Sequence, residues 1–402
     1  MAERDTTGQR PIGFKRLLRM AAIAGAVALA GCQTVVPRGP APVKRPPVTR
    51  PVQPQQPVVE QGIPTDTQRH RVALLVPLSG PNAGVGQSLA NATQMALLDS
   101  KNERIRITSY DTATGAALAA QKALADGNQL ILGPLLADDV RAVAPIAHRA
   151  GVPVVSFSND ATAAGNGAYL MGYVPAQSIG RVVDYAREQG VTTFGGLVPN
   201  GTYGQRASTA FLRAVESAGG QVASLQTYDR VPGSITSAIV RMSKSAPYQA
   251  ILIADGGNAA SAAVPVLRKN GMGGARVLGT ELWNSESSIA SKPALEGAWF
   301  ASVSDGLYRQ YAARYRARFG AAPFRLSSLG YDSVLLTIRI MRDWPMGAAF
   351  PEDRLKDRGG FAGIDGAFRF GRDNVAERAL EVQEIRGGTT VTISPAPSGF
   401  ER

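Results

Sequence analysis

The residue types that most often carry chemistry are scarce in this 402-residue chain, which has one cysteine, Cys32, and two histidines, His70 and His148. A single cysteine forbids an intrachain disulfide and a cysteine-rich zinc site. His148 lies within a helical pattern beside Arg149 and reads as a surface or packed residue, while His70 abuts a proline-rich stretch and reads as incidental. The sequence contains no H-E-x-x-H, no P-loop, no G-x-S-x-G and no S-x-x-K. Gly84-Val85-Gly86 continues to Leu89 rather than to glycine and starts well past its strand, so it is no dinucleotide loop. Asp111 and Asp332 are the carboxylates a hydrolytic pair would draw on, yet nothing in their spacing brings them together. Trp283, Trp299 and Trp344 read as core or rim, with only Trp283 in a loop that would face a cleft. What remains is binding chemistry, carried by serines, tyrosines and acids in loops. No enzyme, metal or cofactor is expected.

The N-terminus reads as an address and an anchor. Arg10, Lys15, Arg16 and Arg19 precede the apolar run Met20–Ala30. As a helix that run would rise about 16 Å, short of a bilayer core of about 30 Å. This is the layout of a secretory signal peptide over residues 1–31. Its end, Leu29-Ala30-Gly31-Cys32, resembles the bacterial lipobox, which implies lipidation at Cys32. Several acyl chains on one residue anchor stably, because each buried CH₂ contributes about 0.8 kcal/mol. Gln33 in place of aspartate implies sorting to the outer membrane if the cell is Gram-negative. Residues 32–70 then form a tether, with nine prolines between Pro37 and Pro64. Such a segment is extended and semi-rigid, or a plain flexible linker. The formal net charge of +12 divides into +3 over residues 1–31, +4 over 32–71 and +5 over the remainder. No stripe of Lys/Arg interleaved with aromatics occurs in the body, so nucleic acid is not an expected partner.

From residue 71 the pattern becomes α/β. Val72–Val76 is a continuous apolar run, suited to a parallel strand buried on both faces. Strands at 105–110, 129–132 and 152–156 alternate with helices at 84–100, 116–126 and 138–150. The rhythm repeats with helices at 176–189, 203–218, 235–245 and 258–270 and strands at 193–198, 222–228, 250–254 and 276–279. Helices at 307–319 and 327–343 follow, then short strands at 368–370, 380–385 and 390–393. The fold class is therefore two doubly wound parallel-sheet lobes. Ligands of such sheets bind beyond the carboxyl ends of the strands, so function belongs in the loops that follow them.

Those loops carry a family resemblance. Val76-Pro77-Leu78-Ser79-Gly80-Pro81, Ile131-Leu132-Gly133-Pro134, Gly151-Val152-Pro153-Val154-Val155-Ser156, Asn200-Gly201-Thr202-Tyr203-Gly204, Gly330-Tyr331-Asp332-Ser333 and Phe361-Ala362-Gly363-Ile364-Asp365-Gly366 resemble, in order, the motifs of type I periplasmic binding proteins of the leucine/isoleucine/valine-binding kind. The resemblance implies a two-lobe domain over 71–395 with hinges near 173–176 and 297–302. Lobe one would be about 71–173 and 300–375, and lobe two about 174–299 and 376–395. It implies ligand-binding roles for Ser79, Ser156, Ser158, Tyr203 and Glu281, the last as partner of a ligand ammonium. The third-strand loop, Leu135-Leu136-Ala137-Asp138-Asp139, departs from the Ser/Thr that amino-acid receptors use there for the ligand carboxylate, and Asp138 is expected to cap the following helix. The expected function is a lipid-anchored periplasmic receptor that passes a small polar ligand (amino acid, peptide or cell-wall fragment) to an ABC permease. The alternative is a penicillin-binding protein activator lipoprotein acting on a peptidoglycan synthase; Gly279-Thr280 and Trp283-Asn284 resemble those proteins.

Overall fold

The computed structural model describes residues 68–400. All of them belong to the second of the chain's two compact units, Gln61–Arg402. The signal segment, Cys32 and nearly all of the proline-rich tether lie outside the described residues.

The first lobe is a five-stranded parallel sheet in the order β2-β1-β3-β4-β5. Its strands are β1 (His70–Val76), β2 (Ile105–Asp111), β3 (Leu130–Leu132), β4 (Val154–Ser156) and β5 (Ala168–Leu170). Helices α1 (Ala83–Asp99), α2 (Ala116–Ala125) and α3 (Ala137–Arg149) connect them. The apolar run of β1 serves both faces. Val72, Leu74 and Val76 enter one apolar cluster and Ala73 and Leu75 another, as the alternation of a strand requires. Each of the valines and leucines, fully buried, contributes about 1.5–3 kcal/mol. Strand order reverses between β1 and β3, which is where a doubly wound sheet opens its crevice.

The second lobe follows the same plan. It contains α4 (Pro175–Glu188), β6 (Thr193–Pro199), α5 (Thr202–Ser217), β7 (Gln221–Tyr228), α6 (Ser234–Met242), β8 (Ala250–Ile253), α7 (Gly257–Leu267) and β9 (Arg276–Gly279). Strand β10 (Trp299–Ser302) pairs in parallel with β9, and β14 (Glu381–Arg386) and β15 (Thr389–Ser394) close that edge antiparallel. The sheet order is β15-β14-β10-β9-β8-β6-β7. The chain returns to lobe one for α8 (Gly306–Phe319), α9 (Ser327–Ile340) and the small antiparallel sheet β11 (Phe361–Gly363), β12 (Gly366–Phe370) and β13 (Ala376–Arg378). Helix α9 packs its Leu329, Val334 and Ile340 into the cluster that holds Leu89 and Met95 of α1.

The two lobes are therefore joined at 171–174, 303–305 and 379–380. Two expected bounds shift. Trp299–Ser302 is a strand of lobe two, because Trp299 and Phe300 pair with Leu278 and Gly279, so the second crossover falls after 302. Ala376–Arg378 pairs with β12 and so belongs to lobe one. Strand β1 also begins at His70, inside the span assigned to the tether. His70 is buried and stacks on Trp344 at a ring separation of 3.9 Å. Among the described residues no helix is long and apolar enough to cross a membrane.

Candidate ligand site in the interlobe cleft

A cavity of about 330 Å³ lies between the lobes and takes wall residues from both of them and from all three crossovers. Val85, Leu135, Leu136 and Phe157 of lobe one and Leu282 of lobe two supply apolar surface. Polar atoms come from Asn159, Gln177, Ser178, Glu281 and Asn284, and cations from Arg325 and Arg378. Glu281 opens the 3₁₀ turn Glu281–Ser285 that follows β9. Its Oε1 accepts from the Tyr203 hydroxyl at 3.0 Å, and its Oε2 accepts from Ser178 Oγ. Burial raises the Glu281 carboxyl above its ordinary range, against the opposing pull of those hydrogen bonds. The same burial, with the Glu281 charge next, raises the Tyr203 phenol, keeping it a neutral donor. No described arginine, lysine or histidine pairs with Glu281, so the cleft holds a recessed acid with donors but no counter-ion.

The other expected site residues are placed differently. Ser79 is exposed at the rim and donates to Asp111 Oδ2 at 2.6 Å, which holds the Asp111 carboxyl below its usual range. Ser156 and Ser158 are buried and face the protein. Ser156 Oγ donates to Pro134 O at 2.8 Å and accepts from Ser158 N, while Ser158 Oγ accepts from Asp160 N. Extended chain alternates its side chains, so Phe157 and Asn159, one residue out of phase, form the wall instead. Tyr203 supports Glu281 and Thr280 from outside the wall. Asp138 is no cap. Helix α3 starts at Ala137 with Leu136 as N-cap residue, and Asp138 sits exposed in the first turn, paired with Arg141 at 2.7 Å. The hydroxyl position of the third-strand loop is thus occupied by leucine side chains. Gly133 permits that loop at all: its φ is +87°, and a Cβ there would lie 2.0 Å from Leu75 O.

Residues 70–389 match the family model described as periplasmic binding protein. The chain belongs to the periplasmic binding protein family. Similar solved structures include a putative branched-chain amino acid ABC transporter from Rhodospirillum rubrum, with 21% identity over 81% of this chain and 100% of that one and a TM-score of 0.72. A solute binding protein of an ABC transporter from Rhodopseudomonas palustris BisB5, in complex with 3,4-dihydroxybenzoic acid, shares 18% identity over 82% and 97% of the chains, with a TM-score of 0.63. A branched-chain amino acid transporter substrate binding protein from Streptococcus pneumoniae, in complex with isoleucine, shares 17% over 81% and 100%, with a TM-score of 0.60. These likenesses establish the type I fold. An uncharacterized protein of Rickettsia prowazekii is 25% identical over 177 residues, 44% of this chain and 47% of that one, so the match spans about half the length of the relative. The family is one of substrate-binding, non-catalytic proteins.

In this periplasmic binding protein the crossovers pass over a buried charge network that no motif announces. Asp365 accepts from Arg325 Nη1 at 2.7 Å, Ser328 Oγ at 2.7 Å and the Tyr173 hydroxyl at 2.5 Å. Burial opposes the Asp365 charge, but Arg325, Arg378 and the hydrogen bonds outweigh it and keep the carboxyl low. Asp332 lies beside it and accepts from Ile364 N at 2.7 Å. Asp332 is therefore partnered with Asp365 and the β11–β12 turn, while Asp111 sits at the rim. The two do not form a hydrolytic pair.

Among the described residues one ion pair links the lobes directly. Buried Asp160 of lobe one receives Arg141 of α3 and Arg206 of α5, each at 2.6 Å. Burial pushes its carboxyl up, yet the hydrogen bonds from Thr162, Arg206 and Arg141 prevail and hold it low. Arg141 remains in an Arg206→Ala variant, so the expected loss of stability is at most about 1 kcal/mol, a melting shift of under about 2 °C for a body this size. The informative readout is the radius of gyration by small-angle scattering. It is expected to rise as the lobes part, and an unchanged value shows that the pair does not hold them.

Proposed function

We propose that this chain is a lipid-anchored, non-catalytic solute receptor that closes its lobes on a small polar molecule and delivers it to an ABC permease. Glu281 carries the reading: a recessed, donor-bound carboxylate without a cation, set in a cavity walled by both lobes. A ligand ammonium placed there would supply the missing counter-charge. Residues 1–31 then serve as signal peptide, Cys32 as lipid anchor, residues 32–69 as tether, and Gln33 favours the outer membrane if the cell is Gram-negative. Closure is a ligand-biased hinge motion at the three crossovers.

The test is thermal denaturation of the purified protein with amino acids, short peptides and muropeptides. A specific ligand at a hundred times its dissociation constant adds about 2.7 kcal/mol. The Glu281→Ala variant is expected to lose that gain, and Tyr203→Phe to weaken it. A gain that survives intact in Glu281→Ala removes Glu281 from the site. A second reading, stimulation of a peptidoglycan synthase, is favoured by the leucines that stand where amino-acid receptors carry a hydroxyl. Under it, no member of the panel shifts the transition, and the immobilised protein retains the synthase.

A further inference from the structure

We propose that the exposed face of helix α8 rests on an anionic phospholipid surface and so holds lobe one against the membrane that anchors the chain. This rests on the lipid-anchor reading and adds a second, non-covalent contact to it. Residues 72–402 carry a formal net charge of +5, of which α8 alone supplies +4 through Arg309, Arg314, Arg316 and Arg318. No acid occurs between Asp305 and Asp332. All four arginines are exposed. At about 3.6 residues per turn, Arg309 and Arg316 fall on one flank of the exposed face and Arg314 and Arg318 on the other. Gln310, Ala313 and Ala317 lie between them and are exposed as well.

Within the fold this charge is poorly compensated. Arg314 pairs with Asp99 at 3.0 Å, but among the described residues no acid pairs with Arg316 or Arg318. Arg309 stands near Asp305, which Arg325 already engages at 3.6 Å. The helix dipole favours the cations of the last turn, Arg316 and Arg318. It disfavours Arg309 near the helix start, and Arg314 and Arg318, four residues apart, repel each other. An anionic surface offsets both costs. Apolar side chains flank the charge: Leu307, on the side of Arg314 and Arg318, is 54% exposed, and Leu98, beside Asp99, is 48% exposed. Short central residues let such a helix lie on a headgroup layer while the arginines spread outward to phosphate. Arginine and aromatic residues do alternate along this one helix. Tyr311 and Tyr315 turn inward and are buried, however, so the face has no rings on which bases would stack. The chain that follows Cys32 enters lobe one, at His70. A lipid on Cys32 therefore gives α8 a high effective concentration at the bilayer, and a weak contact suffices.

The experiment takes the mature, lipid-anchored chain with Ala313→Cys, labels it with a thiol-reactive fluorophore and reconstitutes it in vesicles containing a brominated quencher lipid. Cys32 is the one native cysteine, and its sulfur is blocked when it carries lipid. Vesicles are phosphatidylcholine alone or mixed with phosphatidylglycerol. The label is expected to be quenched on the anionic vesicles and not on the neutral ones. Quenching is also lost in about 1 M salt, where charges are screened beyond about 3 Å. Each arginine at an anionic bilayer strengthens the contact roughly fivefold. The triple variant Arg309→Gln, Arg316→Gln, Arg318→Gln therefore shifts the docked-to-free ratio about a hundredfold toward free. Arg314, which pairs with Asp99, is left in place, and far-UV circular dichroism confirms that the variant is folded. The salt and lipid dependence of the chain with native arginines decides the matter even if it is not. No quenching on anionic vesicles, equal quenching on neutral ones, or quenching unmoved by the triple variant overturns the assignment and leaves the anchor intact. Retention on peptidoglycan sacculi that the triple variant loses, with the label unquenched, gives the face to an anionic wall polymer and overturns it too. Two labels per chain show that Cys32 carries no lipid and remove both the anchor and this contact.

Discussion

Asp365→Ala is expected to lower the unfolding free energy at pH 7 by about 3–5 kcal/mol, the usual cost of stripping one partner from a buried ion pair. Asp365 is fully buried and is the common acceptor for Arg325, Tyr173 and Ser328. Without it, the one ion pair recorded for Arg325 is the longer contact to Asp305, beside neutral hydrogen bonds to Ser328 and Tyr173, and the nearby Arg378 loses an attractive charge. The dependence on pH adds a signature. Asp365 is depressed in the fold, so its contribution is present above its unfolded value near 3.8 and disappears as the pH falls. The deficit of the variant therefore narrows in acid. Asp332 behaves oppositely. Burial first, then the Asp365 charge, pushes its carboxyl up to about 7. A raised carboxyl stabilises at low pH, and that contribution fades as the pH climbs from about 4 to about 7. Removing Asp365 takes away one of the two causes, so this fade is shallower in the variant. Urea unfolding from about pH 8 down to about pH 2 reads both effects, the Asp332 fade above about pH 4 and the Asp365 loss below it. A loss under about 1 kcal/mol at pH 7 would show that Asp332 ionises and takes over as counter-ion.

The fold was legible wherever an element is buried on both faces or carries a clear helical period. Strands β1 and β8 are continuous apolar runs, and α1 to α7 each fall within a few residues of their expected bounds. Strands β5, β10 and β13 escaped because three or four residues give no period; pairing with β4, with β9 and β14, and with β12 makes them strands. The site was legible in part. Glu281 follows a strand within a motif and does stand in the cavity wall. The resemblance places Ser156 and Ser158 in the loop after β4, yet a strand's facing depends on its phase, and the phase turns Phe157 and Asn159 toward the cavity. Arg325 and Asp365 are forty residues apart and meet only because the β11–β12 turn folds back onto the start of α9. Arg378 ends a strand that sequence alone did not reveal. Charge partners of that kind are set by closure of the chain and leave no local signal.

The second large effect is expected at Trp283, where stability and binding share one side chain. Trp283 is fully exposed to neither solvent nor ligand: it is buried in the lobe-two core, 5.7 Å from Phe300 between ring centres. Its Nε1 donates to Asp255 O at 2.9 Å. The ring lies flush on β9, where a Cβ on Gly279 would come within 2.4 Å of its atoms. Trp283 is therefore the peg that fixes the turn Glu281–Ser285, whose Glu281, Leu282 and Asn284 wall the cavity. Trp283→Ala empties that volume and leaves the Asp255 carbonyl without its donor, at an expected cost of about 3–5 kcal/mol. Trp283→Phe keeps most of the packing and loses chiefly the hydrogen bond, worth about 0.5–1.5 kcal/mol. A turn without its peg no longer presents Glu281 in one geometry, so affinity for a ligand that contacts Glu281 should fall in the same order, alanine well below phenylalanine. Urea unfolding and ligand titration on the two variants test this together. If Trp283→Ala loses stability as expected but binds its ligand undiminished, the turn is held by the Thr280 and Tyr203 hydrogen bonds instead, and the tryptophan serves the core alone.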